Sequence, residues 1–214
     1  MASSSPANKP VVLVDATPLR SPSGNRGIGR YVHDLFVGLE AIRDEWSAQL
    51  DIVALTDLSR TGAPLYERDL AHAASSTVEK KDAVSQKQIR WRRRLFVERA
   101  ARRIGASLLH ETEAIGTPLR LSVPRVVTCY DLIPLRFRKQ YIGSIAKYPS
   151  RWLTEWRRYS IAERVVCISD RSNQDVRALL KLPQSQVFTV RTGIDLAKWV
   201  ALSREPQLPL SKVG

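Results

Sequence analysis

The chain has 214 residues, with 34 Lys and Arg against 21 Asp and Glu, a formal net charge of +13. That balance is too basic for a typical cytosolic metabolic enzyme and favours anionic partners: nucleic acid, acidic phospholipid or a pyrophosphate-bearing substrate. Hydrophobic residues make up 43%, enough for the core of one large domain, while two cysteines and three histidines without ligand spacing exclude a disulfide framework and a zinc site.

Residues 1–10 are rich in Ser, Pro and Ala and read as a disordered leader without the hydrophobic core of a signal peptide. Val11 to Asp15 is an apolar run ending in an acid, the pattern of a buried parallel strand. A Pro, Ser and Gly-rich loop follows, and residues 29–43 place Val32, Leu35, Phe36, Leu39 and Ile42 at helical spacing. A second strand is expected over 50–55, and residues 56–76 read as irregular. Residues 84–104 are helical by composition and heavily basic. Short strands are expected over 107–110 and 124–130, the latter carrying Cys129, then a loop over 131–145 with Pro134 and Gly143. A helix opened by Pro149 is expected over 149–162. A strand carrying Cys167 is expected over 164–168, and a helix capped by Ser169 over 171–180, stopped by Pro183. A last strand over 187–191 turns at Gly193. Both cysteines thus fall in buried strands, which points to a reducing compartment.

Strands alternating with helices predict an α/β fold, a doubly wound, mostly parallel sheet. Ligands of such sheets sit at the carboxyl ends of the strands. Those ends carry Asp15, His110, Tyr130 with Asp131, Ser169, and Thr192 with Gly193.

Three stretches there carry possible chemistry. The loop from Ser23 to Tyr31 contains Gly24, Gly27, Gly29 and Arg30 ahead of a helix N-terminus. Glycines let a backbone approach a ligand closely, and free N–H groups suit an anion. The spacing fits neither a dinucleotide turn nor a phosphate-cradling Gly-Lys-Ser/Thr loop, and a plain flexible loop is the competing reading. In Val127 to Pro134, Asp131 is placed to accept hydrogen bonds from sugar hydroxyls or act as a base, or else to cap a turn. In Cys167 to Asp175, Ser169 and Arg171 present a capped helix start and a charge, suited to a phosphate or a sugar oxygen or to capping alone.

Together, in this order, these stretches resemble the N-terminal Rossmann-like domain of a family 4 glycosyltransferase of the two-domain GT-B architecture. The matching residues are Val14 and Asp15 with Gly27-Ile-Gly-Arg-Tyr31, Leu109 and His110, Thr128-Cys-Tyr-Asp-Leu-Ile-Pro-Leu135, Ala162 to Ser169, and Thr192-Gly-Ile-Asp195. The resemblance implies a retaining transferase that moves a hexose, mannose or similar, from a nucleotide sugar to a saccharide or lipid-linked acceptor in polysaccharide or lipopolysaccharide assembly. It places the acceptor in the domain spanning 11–195. The nucleotide-sugar donor belongs to a C-terminal Rossmann domain that 196–214 would lead into and that the chain lacks. The chain alone is therefore expected to transfer little. On this reading no metal or other cofactor is needed, the glycine loop faces the donor phosphates, and Asp131 lies beside the transferred sugar. Tyr130 stands where such enzymes commonly carry a histidine, and Asn173 where an arginine often follows.

The basic segment 87–103 interleaves Arg90, Arg92, Arg93, Arg94, Arg99, Arg102 and Arg103 with Trp91 and Phe96. A second cluster runs from Arg136 through Arg151, Trp152, Trp156, Arg157 and Arg158. Such interleaving suits an anionic membrane surface, so Arg90, Trp91, Arg92, Arg93 and Arg94 are the expected membrane contacts of a cytoplasmic protein peripheral to the inner membrane face. The alternatives are a solvated basic face over buried aromatics, a stand-alone binding module, and nucleic acid, for which no specific motif is present. A cleft wall left bare by a missing domain also predicts self-association, which a sedimentation series over concentration checks.

Overall fold

The computed structural model describes residues 9–58, 64–75, 85–116, 118, 122–193 and 200. The expected leader up to residue 8, residues 194 and 195 of the last motif, and the expected linker apart from Val200 lie outside the described residues.

The described residues form one seven-stranded sheet in the order β3-β2-β1-β4-β5-β6-β7. The strands are β1 (Val11–Asp15), β2 (Asp51–Leu58), β3 (Pro64–Glu67), β4 (Ala106–Glu111), β5 (Arg125–Cys129), β6 (Arg164–Cys167) and β7 (Val187–Thr189). All neighbours run parallel except β3, which lies antiparallel on the edge beside β2. The α/β reading holds. The order reverses at β1, so a crevice between the carboxyl ends of β1 and β4 follows from topology.

Side-chain alternation explains why both faces are covered. Val14, Ile52 and Ala54 point into one cluster with Val32 and Phe36 of α1 (Gly27–Ala41) and Leu70, Ala73 and Ala74 of α3 (Leu70–Ser75). Leu13, Val53 and Leu55 point the other way, against Val97, Ala100 and Ala101 of α4 (Gln86–Arg103). A third cluster joins Val127, Cys129, Val165 and Cys167 to Tyr159 of α7 (Tyr148–Ser160) and to Val176 and Leu180 of α8 (Asp170–Leu180). Cys129 and Cys167 sit opposite each other on neighbouring strands, buried and free. A one-turn helix α2 (Arg43–Trp46) links α1 to β2.

Local chemistry sets the helix ends. Ser85 and Gln88 form a reciprocal capping box on α4. The Ser169 hydroxyl accepts from the Ser172 N–H at 3.1 Å, so α8 starts where a Ser N-cap places it. Lys181 ends α8 in the left-handed region, at φ 58°.

Two expectations need correction. Residues 56–76, read as irregular, contain the end of β2, the edge strand β3 and α3. Leu70, Ala73 and Ala74 of that helix are buried against α1 and the sheet, a tertiary contact that gives no periodic signal over one and a half turns. The loop expected over 131–145 holds two one-turn helices, α5 (Ile133–Arg136) and α6 (Arg138–Tyr141). Each is too short to show a periodicity.

Candidate functional site

Asp15 ends β1 fully buried, and its surroundings organise the crevice. Its Oδ1 accepts from the Thr17 N–H at 3.0 Å and the Thr17 hydroxyl at 2.6 Å. Its Oδ2 lies 2.7 Å from Nη2 of Arg93, which reaches in from α4. Arg93 Nη2 also lies 3.6 Å from Glu111 and donates to the Glu113 carbonyl, while Nη1 is 4.0 Å from the Glu113 carboxyl. Arg125 approaches Glu111 from β5 at 3.6 Å. Three acids, Asp15, Glu111 and Glu113, therefore share two buried arginines. Arg93 is the largest fully buried side chain, which corrects its assignment to a membrane-facing surface. Position 93 falls on the same face of α4 as the buried Ile89, Val97 and Ala100, and its guanidinium meets carboxylates there.

Past β4 and β5 opens a cavity of about 170 Å³. Its lining includes Glu113, Thr128, Tyr130, Asp131, Arg158 and, from the start of α1, Ile28. Glu113 is buried, and its Oε1 takes a 3.2 Å hydrogen bond from the Ser23 hydroxyl. Burial holds its carboxyl above the usual range, against the pull of Arg93. From α7, Arg151 and Arg158 both pair with Glu155 at 2.9 Å. A smaller hollow of about 20 Å³ beyond β2, beside Arg20, Asp57 and Arg92, has room for a single water.

Of the residues expected in the site, Tyr130 and Asp131 line this cavity. Tyr130 is half-buried; its hydroxyl donates to the Thr112 carbonyl at 2.7 Å, and its ring packs edge-on to Tyr31 at 5.3 Å. Burial raises its phenol well above the ordinary value, so it positions and stacks and does not act as a base near neutrality. Asp131 is exposed, and its Oδ1 accepts from the Ile133 N–H at 3.0 Å, a turn cap.

His110 stands one layer behind, its Nε2 2.9 Å from the hydroxyl of Thr128. Burial holds its imidazole down to about 4, opposed by the Asp15 carboxylate. His110 is therefore neutral near pH 7 and orients Thr128. Because its folded pKa lies below the unfolded value, its contribution is present above about 6.5 and is lost as pH falls toward 4. Between pH 7 and pH 5 this group alone is expected to cost about 2 kcal/mol of stability. Urea unfolding at the two pH values, compared with His110→Gln, measures it; an equal loss in the variant would assign the pH dependence elsewhere.

The glycines before α1 also serve the packing of their own loop. A Cβ on Gly24 would strike the Leu19 carbonyl, and one on Gly29 would strike Gly24, so these glycines let the loop pack on itself. Gly27 alone has open space around it. Arg30 is exposed and pairs with Asp34 one turn on. Ser169 spends its hydroxyl on the cap of α8, and Arg171 lies 3.5 Å from Asp175. Neither lines the cavity; the link is Ser172, whose hydroxyl donates to the Tyr130 carbonyl at 2.6 Å. Asn173 donates to the Thr189 hydroxyl at 3.0 Å.

On α4, Arg90, Trp91 and Arg94 are exposed, Trp91 at 65%, while Arg92 is mostly covered. Trp152 of the second cluster donates its indole N–H to the Leu179 carbonyl and stacks on Trp156. Glu113, Thr128, Glu155 and Arg158 escaped the reading of the sequence as site residues. The strand-end rule reaches Glu113, two residues past β4, and the spacing of Arg151, Glu155 and Arg158 puts them on one helix face. Among the described residues no helix is long and apolar enough to cross a membrane.

No curated protein matches the chain. The model of Glycosyltransferase Family 4 matches residues 25–198, which includes the start of α1, the strands that frame the cavity and the whole of α7 and α8. With one seven-stranded α/β sheet and this match over most of its length, the chain belongs to glycosyltransferase family 4.

Proposed function

We propose that the cavity past β4 and β5 holds the acceptor of a retaining hexosyl transfer, and that the chain is the acceptor-side half of the enzyme. The observation that carries this reading is the makeup of the cavity. A buried carboxyl, a fixed hydroxyl at Thr128, an aromatic ring at Tyr130 and an exposed carboxylate at Asp131 converge on it. Polar groups around an aromatic face are what a sugar ring requires. The donor is a nucleotide-activated hexose such as mannose, and the product a growing polysaccharide or lipopolysaccharide. Asp131 and the loop from Gly24 through Gly27, Gly29 and Arg30 face the donor side, with Ser169 and Arg171 behind.

The cavity encloses about 170 Å³, below the roughly 300 Å³ at which sites for larger ligands begin. It suits one sugar unit and not a nucleotide sugar beside it. Rate acceleration from alignment needs both reactants held together. The chain alone, incubated with labelled nucleotide hexoses and methyl glycosides, is therefore expected to transfer at background, and joining a nucleotide-sugar domain restores transfer with retained configuration. Robust transfer by the chain alone, or none by the joined protein, would overturn the proposal.

A second reading has its own observation. Trp91 stands exposed between Arg90 and Arg94 on α4, with Leu95, 47% exposed, one turn further. An apolar ridge flanked by arginines fits the headgroup region of an anionic bilayer, and the enzyme would work there on a lipid-linked acceptor. Flotation with phosphatidylglycerol vesicles is expected, and Trp91→Ala with Arg90→Ala weakens it; equal flotation with neutral vesicles would remove this reading.

A further inference from the structure

The chain is strongly basic, but the cavity is not. Of its charged lining residues three are acids, Glu113, Asp131 and Glu155, and two are arginines, Arg151 and Arg158. Both arginines are engaged by one carboxylate: Arg151 reaches Glu155 Oε1 at 2.9 Å, and Arg158 meets Oε1 and Oε2 at 2.9 Å. Glu155 is buried beneath them. An incoming anion would compete with a carboxylate already in place. Arg93, the other guanidinium near Glu113, lies 2.7 Å from Asp15 but 4.0 Å from the Glu113 carboxyl. Glu113 is thus the buried acid least compensated by positive charge, and it is the one that faces the cavity.

We propose that Glu113 selects the acceptor by charge: the cavity takes a sugar unit that is uncharged or carries an amine, and rejects one that carries a phosphate or carboxylate. This rests on the reading of the cavity as the acceptor site. An uncharged sugar donates a hydroxyl hydrogen bond to Glu113. An ammonium group does more, because it stabilises the carboxylate form that burial disfavours. The groups that face Glu113 are Asp15 from β1, Ser23 from the loop before α1, Arg93 from α4, Tyr130 past β5 and Arg158 from α7. The two arginines are paired with other acids. The phenol stays neutral near pH 7 because burial raises it.

The test is calorimetry on this chain with methyl glycosides of the gluco, manno and galacto series. Each is supplied in a neutral form, a 6-amino-6-deoxy form and a 6-phosphate form. In any series that binds, the amine is expected to bind about tenfold tighter than the neutral glycoside, since an ion pair at this depth nets far less than its Coulomb energy after desolvation. The phosphate should bind weakest. Glu113→Gln, which keeps the volume and a partner for Ser23, is expected to erase the amine preference while neutral binding persists. Asp44→Asn, an exposed acid on α2 away from the cavity, is expected to keep the preference.

Tightest binding of the phosphate, or an amine preference that survives in Glu113→Gln, would overturn this inference and leave the acceptor site standing. If no glycoside of any series binds at millimolar concentration, the acceptor reading fails, and this inference with it.

Discussion

Replacing Arg93 with methionine is expected to lower the unfolding free energy by about 3 to 5 kcal/mol, the range for removing one partner of a buried ion pair. The substitution keeps much of the side chain's length and apolar stem, so lost packing contributes little. The loss comes from charge. Without the guanidinium, Asp15 keeps only its contacts to Thr17, and the buried Glu113 loses its nearest cation. Asp15→Asn in the same background is expected to recover part of the loss, since it removes one of the stranded charges. Arg94→Met, one residue away and exposed, is expected to stay within about 0.5 kcal/mol of the parent protein. Urea denaturation of the four proteins gives the comparison. A cost below about 1 kcal/mol for Arg93→Met would mean that the carboxyls, not the arginine, carry the burden, by taking up protons.

Gly29→Ala is the second large effect. Its Cβ would fall within the backbone of Gly24, in a loop closed by the Gly24 N–H to the Ser21 carbonyl at 2.8 Å and the Gly29 N–H to the Ser23 carbonyl at 3.0 Å. No side chain can turn aside to relieve the contact, because the obstacle is main chain. A cost of about 3 kcal/mol is expected, the upper part of the range for overpacking. The loop and the first turn of α1 must separate, which displaces Ile28 from the cavity wall and Ser23 from Glu113. Gly27→Ala, two residues earlier with open space around its Cβ, is expected to be neutral or slightly stabilising. Thermal melts of the two variants separate these outcomes. Equal melting temperatures would show that the loop is free to rearrange and that its glycines are not there for packing.

The two effects share a cause with the parts of the site that the sequence left illegible. The spacing of Arg90 to Arg94 announces a basic helix, but which arginine turns inward depends on the carboxylates it meets: Asp15 ends β1, while Glu111 ends β4 and Glu113 follows it, nearly a hundred residues on in the chain. Gly24 and Gly29 read as a place for a ligand, because the same residue type serves a close approach to a ligand or to the chain itself. Asp131 shows both of its readings at once, capping Ile133 while lining the cavity.

What the sequence determined by itself is the local pattern. The apolar runs of β1, β2, β4, β5 and β6 locate the sheet, the spacing in α1 locates a covering helix, and Ser169 marks where α8 begins. The ordered motifs are enough to assign the family. These signals are local, set by side-chain periodicity and backbone capping over a few residues. Tertiary structure decided the rest: β3 on the sheet edge, the burial of Arg93, and the union of Glu113, Thr128, Tyr130 and Arg158 around one cavity. Each of these is a contact between residues far apart in the chain, and its energy comes from burial and charge pairing that exist only once the strands lie side by side.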